Sequence, residues 1–368
     1  MIQKVAVIGL GLIGGSFALA LKKHDKNVHI DGYDLPDVLD KAIERNAIDK
    51  RCTSIKEAVE AADLVILAVP ISKILYFISE IAPHLKTGAI VTDVGSVKKS
   101  IMAHALQAIP DHATFIGGHP MAGSEKSGMH HADPYLFENA TYALCPPQES
   151  QHASFEEHFD QLIKLIEKLG ARIIVLEAEK HDQIAAAVSH LPQLLATTLM
   201  AYVGSFHNED DTYLNLAAGG FRDMTRIASS KFSTWRDIFD ANEIQITEVL
   251  DGFDAEFQKV RSYFSGSNID GLSDPFQKAQ FSRGLIPKAS KGFLHPLADV
   301  YVYAEDKPGF LYRLTEVIHN ANINIKDLEL LKIREGIEGV FRIGFADQKT
   351  GAAAIEALKQ AGYEAFQL

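Results

Sequence analysis

Three glycines near the amino terminus, Gly9-x-Gly11-x-x-Gly14, fall where a short apolar run gives way to a helical pattern. At that spacing the first glycine permits a tight turn and the second lets the backbone approach a pyrophosphate. The third allows close helix packing, and the helix amino terminus offers free N–H groups to the anion. Leu12 and Ile13 lie within the same turn. Asp34 closes the next apolar run about 20 residues on, where a carboxylate meets the ribose hydroxyls of a dinucleotide. Leu35 and Pro36 follow with no adjacent arginine for a 2′-phosphate, so the expected cofactor is NAD. Val69-Pro70, at the end of the third run, completes the expected cofactor-binding set. Without the strand, helix and acid around them, the same glycines would make only a ligand-free turn.

A dinucleotide site implies hydride transfer but not its substrate. Asp93-Val94-Gly95-Ser96-Val97-Lys98 falls at a strand end, the side of such sheets on which ligands bind. Taken alone it is a strand-to-helix turn with Ser96 as helix cap. Gly117-Gly118-His119-Pro120-Met121-Ala122-Gly123-Ser124-Glu125 follows the next strand. A histidine fixed by a proline and flanked by glycines suits an acid or base facing a substrate, against the plainer reading of a hydrogen-bonded core histidine. His181-Asp182 and Ser189-His190-Leu191-Pro192-Gln193 come later, and the two histidines share a pocket only if the helix bends or breaks between them. Gly219-Gly220-Phe221-Arg222-Asp223-Met224-Thr225-Arg226 offers arginines for a carboxylate, or for a surface ion pair with Asp223. There is no HExxH and no cluster of Cys and His ligands, and His130-His131 are adjacent rather than at a chelating helical spacing. No metal is expected.

These groups need a scaffold. The 368 residues are 47% hydrophobic and 23% charged, an ordinary globular composition long enough for two or three domains. The net charge of −12 disfavours nucleic acid and anionic membranes as partners. Two distant cysteines, Cys52 and Cys145, fit a reducing compartment, so a soluble cytoplasmic protein is expected; the apolar run Val5–Leu21 is glycine-broken and shorter than a span of about 20 residues. Short β-branched runs alternate with helical stretches over residues 1–177, which predicts a doubly wound, Rossmann-type parallel sheet. Helical periodicity takes over in 178–264, with helices over Ala185–Tyr202 and Asn242–Tyr263. Residues 265–296, rich in Ser, Gly, Lys and Pro, read as a connecting segment. Residues 297–368 read βαββαβ, a ferredoxin-like unit.

The five motifs in this order, from the glycine fingerprint to Phe-Arg-Asp-x-Thr-Arg, resemble those of the prephenate dehydrogenase family over roughly residues 1–290. The carboxyl-terminal unit resembles an ACT domain, through Asp306-Lys307-Pro308-Gly309 and Asn322-x-Asn324-Ile325. The resemblance implies NAD-dependent oxidative decarboxylation of prephenate to 4-hydroxyphenylpyruvate, on the way to tyrosine. It makes His119 the catalytic histidine, Ser96 its neighbour on the substrate and Arg226 the carboxylate ligand, reached across a homodimer formed by the helical domain. It places Ser124 and Glu125 in the pocket lining, Glu125 as a gate, and His190 and Gln193 on the substrate. Many relatives carry histidine where this chain has Gln193; a neutral residue there gives no anchor for the ammonium group of arogenate, which favours prephenate. In the ACT unit, Asp306, Gly309, Phe310, Asn324 and Ile325 are the expected regulatory pocket, for tyrosine as feedback inhibitor; the alternative is a ligand-free module for subunit contacts. Three other readings compete with prephenate oxidation: arogenate dehydrogenase, a β-hydroxyacid dehydrogenase, which would need a lysine motif not seen around Lys180 or Lys231, and an amino-acid sensor on an inactive dehydrogenase fold. The sensor would have no use for Asp34, Ser96, His119 and Arg226 together.

Overall fold

The computed structural model describes residues 2–123, 126–147, 154–208, 210–286, 297–305, 307–334 and 338–367. They form two units, residues 1–272 and 273–368. The first is built on eight strands: β1 (Lys4–Ile8), β2 (His29–Tyr33), β3 (Lys50–Arg51), β4 (Leu64–Leu67), β5 (Ile90–Asp93), β6 (Thr114–Pro120), β7 (Thr141–Cys145) and β8 (Arg172–Val175). Their spatial order is β3-β2-β1-β4-β5-β6-β7-β8, whose first six positions are the 3-2-1-4-5-6 arrangement of dinucleotide-binding sheets. Strand residues divide by parity between two cores. Val5, Val7, Leu64 and Ile66 pack into one, with Phe17 and Leu21 of the Leu12–His24 helix. Ala6, Ile8, Val65 and Leu67 pack into the other, with Ile74 and Ile78 of the Ile71–Ile81 helix. A strand covered on both faces needs apolar residues at every position, which is why these runs carry no polar alternation. Each fully buried Val, Leu or Ile contributes about 1.5–3 kcal/mol, so the sheet is a stiff platform for the loops at its carboxyl edge.

The sheet departs from the all-parallel expectation at one place. β7 runs antiparallel to β6, with His119 opposite Ala143, and β8 then returns parallel to β7. An antiparallel return needs no crossover helix between β6 and β7. β6 is also longer than the predicted Thr114–Ile116. It continues through Gly117 and Gly118 to Pro120, so His119 sits on a strand rather than beyond it. Past Ile116 that strand pairs only with β7, which leaves the missing N–H of Pro120 harmless.

The helices that follow are Ala178–Ala185, a π-helical turn Ala186–His190, Leu191–Ser205, Gly219–Thr225, Phe232–Ala241 and Glu243–Ser265. The first three run continuously over Ala178–Ser205, a stretch long and apolar enough by length and composition to cross a membrane. It carries buried His181, Asp182, His190 and Gln193, each with a hydrogen-bond partner in the protein. The expected connection at 265–296 is partly helical, since Ser273–Leu285 forms a helix with no buried residue. Its Pro275 lies in the first turn, where a helix has no use for the absent N–H, so the proline does not break it.

The second unit carries a four-stranded antiparallel sheet of order β10-β11-β9-β12, from β9 (Ala298–Glu305), β10 (Asp327–Arg334), β11 (Glu338–Phe345) and β12 (Ala365–Phe366). Helices Phe310–Asn320 and Gln348–Gln360 complete βαββαβ. Val300, Val302, Leu314, Ile318, Ile343 and Leu358 fill its separate core.

Candidate active site

At the carboxyl end of β1 the backbone is held by contacts that exclude side chains. Gly9 has φ of +90°, and a Cβ on it would lie 2.4 Å from the Ala68 carbonyl oxygen. A Cβ on Gly14 would fall 1.9 Å from the Gly9 carbonyl oxygen, so the helix lies directly on the turn. Gly11 differs, because a Cβ there would meet no atom within 4 Å. The Leu12–His24 helix starts at this open position with no side-chain cap and no acidic residue in its first turn. Its N–H groups are therefore available to an anion. Asp34 is tied to the same turn: Leu10 N–H donates to its Oδ2 and Leu35 N–H to its Oδ1, each at 2.6 Å. Pro70 precedes the Ile71–Ile81 helix and Val69 is half-buried beside Gly9. Open space at the second glycine, an uncapped helix terminus and an acid beside the turn fit NAD.

The second half of the site is organised around two buried carboxylates. Asp93, at the end of β5, accepts N–H bonds from Gly95 at 2.8 Å and Gly118 at 3.1 Å, and pairs with the fully buried Lys98. Lys98 Nζ also donates to the Gly118 carbonyl at 2.7 Å. One carboxylate and one ammonium thus join the loop bearing Ser96 to the strand bearing His119. A Cβ on Gly118 would sit 2.5 Å from the Asp93 carbonyl oxygen, so the glycine lets the two segments come this close.

Asp182 is the other carboxylate. It accepts from Lys98 N–H at 2.7 Å and Lys99 N–H at 2.9 Å, capping the Lys99–Ala108 helix, and lies 2.8 Å from His181 Nδ1. His181 Nε2 in turn is 2.8 Å from His119 Nδ1. Burial above all, then His181, Lys98 and His190, pushes the His119 pKa well below the ordinary histidine range. His119 is therefore a neutral imidazole at pH 7.

Nine residues at 3.6 per turn would put His181 and His190 on opposite helix faces. The π turn Ala186–His190 between them is wider and rotates the second histidine back toward Asp182. Asn242 joins the two: its Nδ2 donates to the Asp182 carbonyl at 2.9 Å and lies 3.2 Å from His190 Nδ1. With Nδ1 accepting, His190 carries its proton on Nε2, a buried position with no partner among the described residues. Burial lowers the His190 pKa to about 4. Gln193, a turn further on, donates through Nε2 to the Ile227 carbonyl at 3.1 Å and to Thr197 at 3.2 Å. It thereby fastens the segment that begins with exposed Arg226 against the Leu191–Ser205 helix. No group of three or more potential metal ligands occurs among the described residues.

The comparisons with known proteins agree with this geometry. Residues 17–175 match the nucleotide-binding domain of prephenate dehydrogenase and residues 177–278 match its dimerization domain. The prephenate dehydrogenase of Bacillus subtilis is 36% identical over 100% of this chain and 98% of its own length. The chain belongs to the prephenate dehydrogenase family. The enzyme from Lactococcus lactis is also 36% identical, over 98% of each chain. The crystal structure of prephenate dehydrogenase from A. aeolicus, solved with hydroxyphenyl propionate and NAD+, superposes with a TM-score of 0.68 at 28% identity, covering 78% of this chain and 99% of that one. As a family member the chain is an NAD-dependent oxidoreductase.

Within this member of the prephenate dehydrogenase family, the fold gathers the glycine turn, Asp34, the Ser96 loop, His119 and His190 along one edge of the sheet. Ser124, Glu125 and Asp306 lie outside the described residues. In the ferredoxin-like unit Gly309 and Phe310 border a cavity of about 270 Å³ together with Lys307, Leu330 and Phe341. Asn324 and Ile325 do not line it; Asn324 is exposed and Ile325 packs against the unit's core. The expected site lacked Lys98, Asp93, His181, Asp182 and Asn242. Asp93 showed only as a carboxylate closing an apolar strand and His181-Asp182 as an adjacent pair, signals that name no partner, and nothing local marked Asn242.

Proposed function

We propose that the chain oxidises and decarboxylates prephenate to 4-hydroxyphenylpyruvate and CO2, using NAD, as a cytoplasmic homodimer. The observation that carries this reading is His119, a buried neutral imidazole whose Nδ1 is engaged by His181 and whose Nε2 is left to meet a substrate. Bound NAD supplies the hydride acceptor for C4 of the ring. His119 Nε2 accepts the C4 hydroxyl proton as the carbonyl develops, and returns it to that oxygen when loss of the C1 carboxylate as CO2 makes the ring aromatic. Ser96, on the loop that Asp93 ties to β6, hydrogen-bonds the same hydroxyl. His190 Nε2–H donates to the substrate from its buried position, and Arg226 of the partner holds a carboxylate. Exact placement of this kind supplies several kcal/mol of the barrier. Gln193 is neutral and offers no charge to an ammonium group, which supports prephenate over arogenate.

The domain limits follow as residues 1–177 for NAD, 178–264 for substrate and dimer contacts, and an ACT domain at 297–368. Exposed Tyr202, Leu216, Phe232, Ile244, Phe257 and Phe264 give the helical region an apolar surface that a second copy covers. Tyrosine acts as feedback inhibitor at the cavity bordered by Gly309 and Phe310, where the Phe310–Asn320 helix starts without a side-chain cap.

NADH formation by the purified chain is to be compared on prephenate and arogenate, with His119→Asn alongside. Fast turnover of prephenate alone, lost in the variant, is the expected result. Equal or better turnover of arogenate overturns the substrate, and an active His119→Asn removes the histidine from the chemistry. For regulation, Leu330→Trp fills the ACT cavity and should abolish tyrosine inhibition while leaving turnover intact; persistent inhibition would place tyrosine in the catalytic pocket instead.

A further inference from the structure

Hydrogen bonds run in series from His119 through His181 to Asp182, and each link constrains the next. Both Asp182 oxygens are engaged as acceptors by backbone N–H groups of the Lys99–Ala108 helix. His181 Nδ1, 2.8 Å from Asp182 Oδ1, is therefore the donor of that contact, and in the neutral ring His181 Nε2 keeps its lone pair. Facing that lone pair at 2.8 Å, His119 Nδ1 must carry a proton. The only lone pair remaining on the chain of rings is at His119 Nε2.

Resting on the reading of His119 as the proton acceptor, we propose that His181 and Asp182 are positioning residues that set its tautomer. They hold the proton on Nδ1 and turn the Nε2 lone pair to the substrate hydroxyl. His181 cannot be the acceptor itself, since both its nitrogens are engaged and it is only 3% exposed. Other charged or titratable groups around His119 are Lys98, held on the neighbouring Gly118 carbonyl, and His190 on the π turn. Neither makes a hydrogen bond to its ring among the described residues, so the tautomer is left to His181. Asp182 has a second duty as cap of the Lys99–Ala108 helix. The Asp182 carboxylate therefore sets the position of Lys98 and the orientation of His181, and the backbone carbonyl of the same residue accepts from the amide of Asn242. This is the logic by which a buried acid orients an imidazole in hydrolases, with a second ring interposed.

The test uses full-length protein labelled with 15N-histidine, with the His119 signals assigned by their loss in His119→Asn. Long-range proton–nitrogen correlation spectra report which ring nitrogen carries the proton. In the unsubstituted protein the His119 proton is expected on Nδ1, and a proton on Nε2 overturns the proposal without any variant being needed. His181→Leu keeps the volume and removes the acceptor. Its kcat should fall roughly 100-fold with KM nearly unchanged, and the His119 spectrum should lose the single Nδ1–H form. His181→Gln restores an acceptor oxygen at the place of Nε2 and should recover most of the rate and the Nδ1–H signature. A His181→Leu protein with full kcat, or a Gln variant no better than Leu, refutes the positioning role. An active His119→Asn would instead sink the acceptor reading, while the tautomer, measured without substrate, is judged separately.

Discussion

Gly11→Ala separates cofactor binding from stability more cleanly than any other change at the glycine turn. Gly11 has φ of −73° and ψ of −153°, backbone that alanine adopts without strain, and its Cβ would meet no atom within 4 Å. The folded protein should therefore keep its melting midpoint. The new methyl group does occupy the space through which a pyrophosphate reaches the Leu12–His24 helix terminus. Hydrogen bonds to charged groups are worth about 1.5–3 kcal/mol each, so losing one weakens NAD binding by about 10- to 100-fold at 1.4 kcal/mol per tenfold. Gly14→Ala is the contrast. Its Cβ would lie 1.9 Å from the Gly9 carbonyl oxygen and 2.8 Å from the Ala68 Cβ, both in rigid surroundings. The helix must shift, at a cost of about 1–3 kcal/mol. Calorimetric titration with NAD and thermal unfolding of both variants decide the matter. Full NAD affinity in Gly11→Ala, or a melting loss as large as that of Gly14→Ala, refutes the assignment of the open space to the pyrophosphate.

The low pKa of His119 predicts that kcat/KM for prephenate shows no inflection near 6.5 and falls only at clearly lower pH; a pH–rate profile with a midpoint at the ordinary histidine value contradicts a neutral, buried ring. Lys98→Met leaves Asp93 buried without its counter-charge, so urea unfolding should show a loss of about 3–5 kcal/mol. Removing that cation also raises the His119 pKa, moving the acid limb of kcat/KM upward; unchanged stability would mean the pair is not buried as described. His190 is neutral when folded and takes a proton more readily when unfolded, so its contribution is complete above pH 6.5 and is lost as pH falls toward about 4. That interval corresponds to about 3 kcal/mol, and His190→Gln should flatten the fall in urea midpoint between those pH values.

Much of the fold is written locally. Apolar runs without polar alternation mark β1 and β4 as strands covered on both faces, and the glycine spacing specifies a turn whose constraints act within a few residues. The βαββαβ order of the carboxyl-terminal unit is legible for the same reason. Other elements were hidden by their composition. β3 is two charged residues, Lys50 and Arg51, paired to β2 only through their backbone. The Ser273–Leu285 helix reads as a connection because Ser, Asp and Pro, all turn formers, sit in its first turn, where a helix tolerates them.

Sequence alone was enough to place Ser96, Asp34 and the glycines just past strand ends, because each follows its own strand, whereas His119, expected beyond its strand, lies on β6 itself. It could not pair them with what surrounds them. His119 meets His181 across 62 positions, Lys98 meets Asp182 across 84, and Asn242 meets His190 across 52. Those contacts depend on three long-range arrangements: β6 extended by its antiparallel partner, a π turn that rotates one histidine toward another, and a helix start brought beneath an aspartate. Local propensity encodes none of these, since each is selected by the packing of segments far apart in the chain. The order of the candidate groups along the chain is thus a property of the sequence, and the contact of His119 Nδ1 with His181 is a property of the tertiary structure.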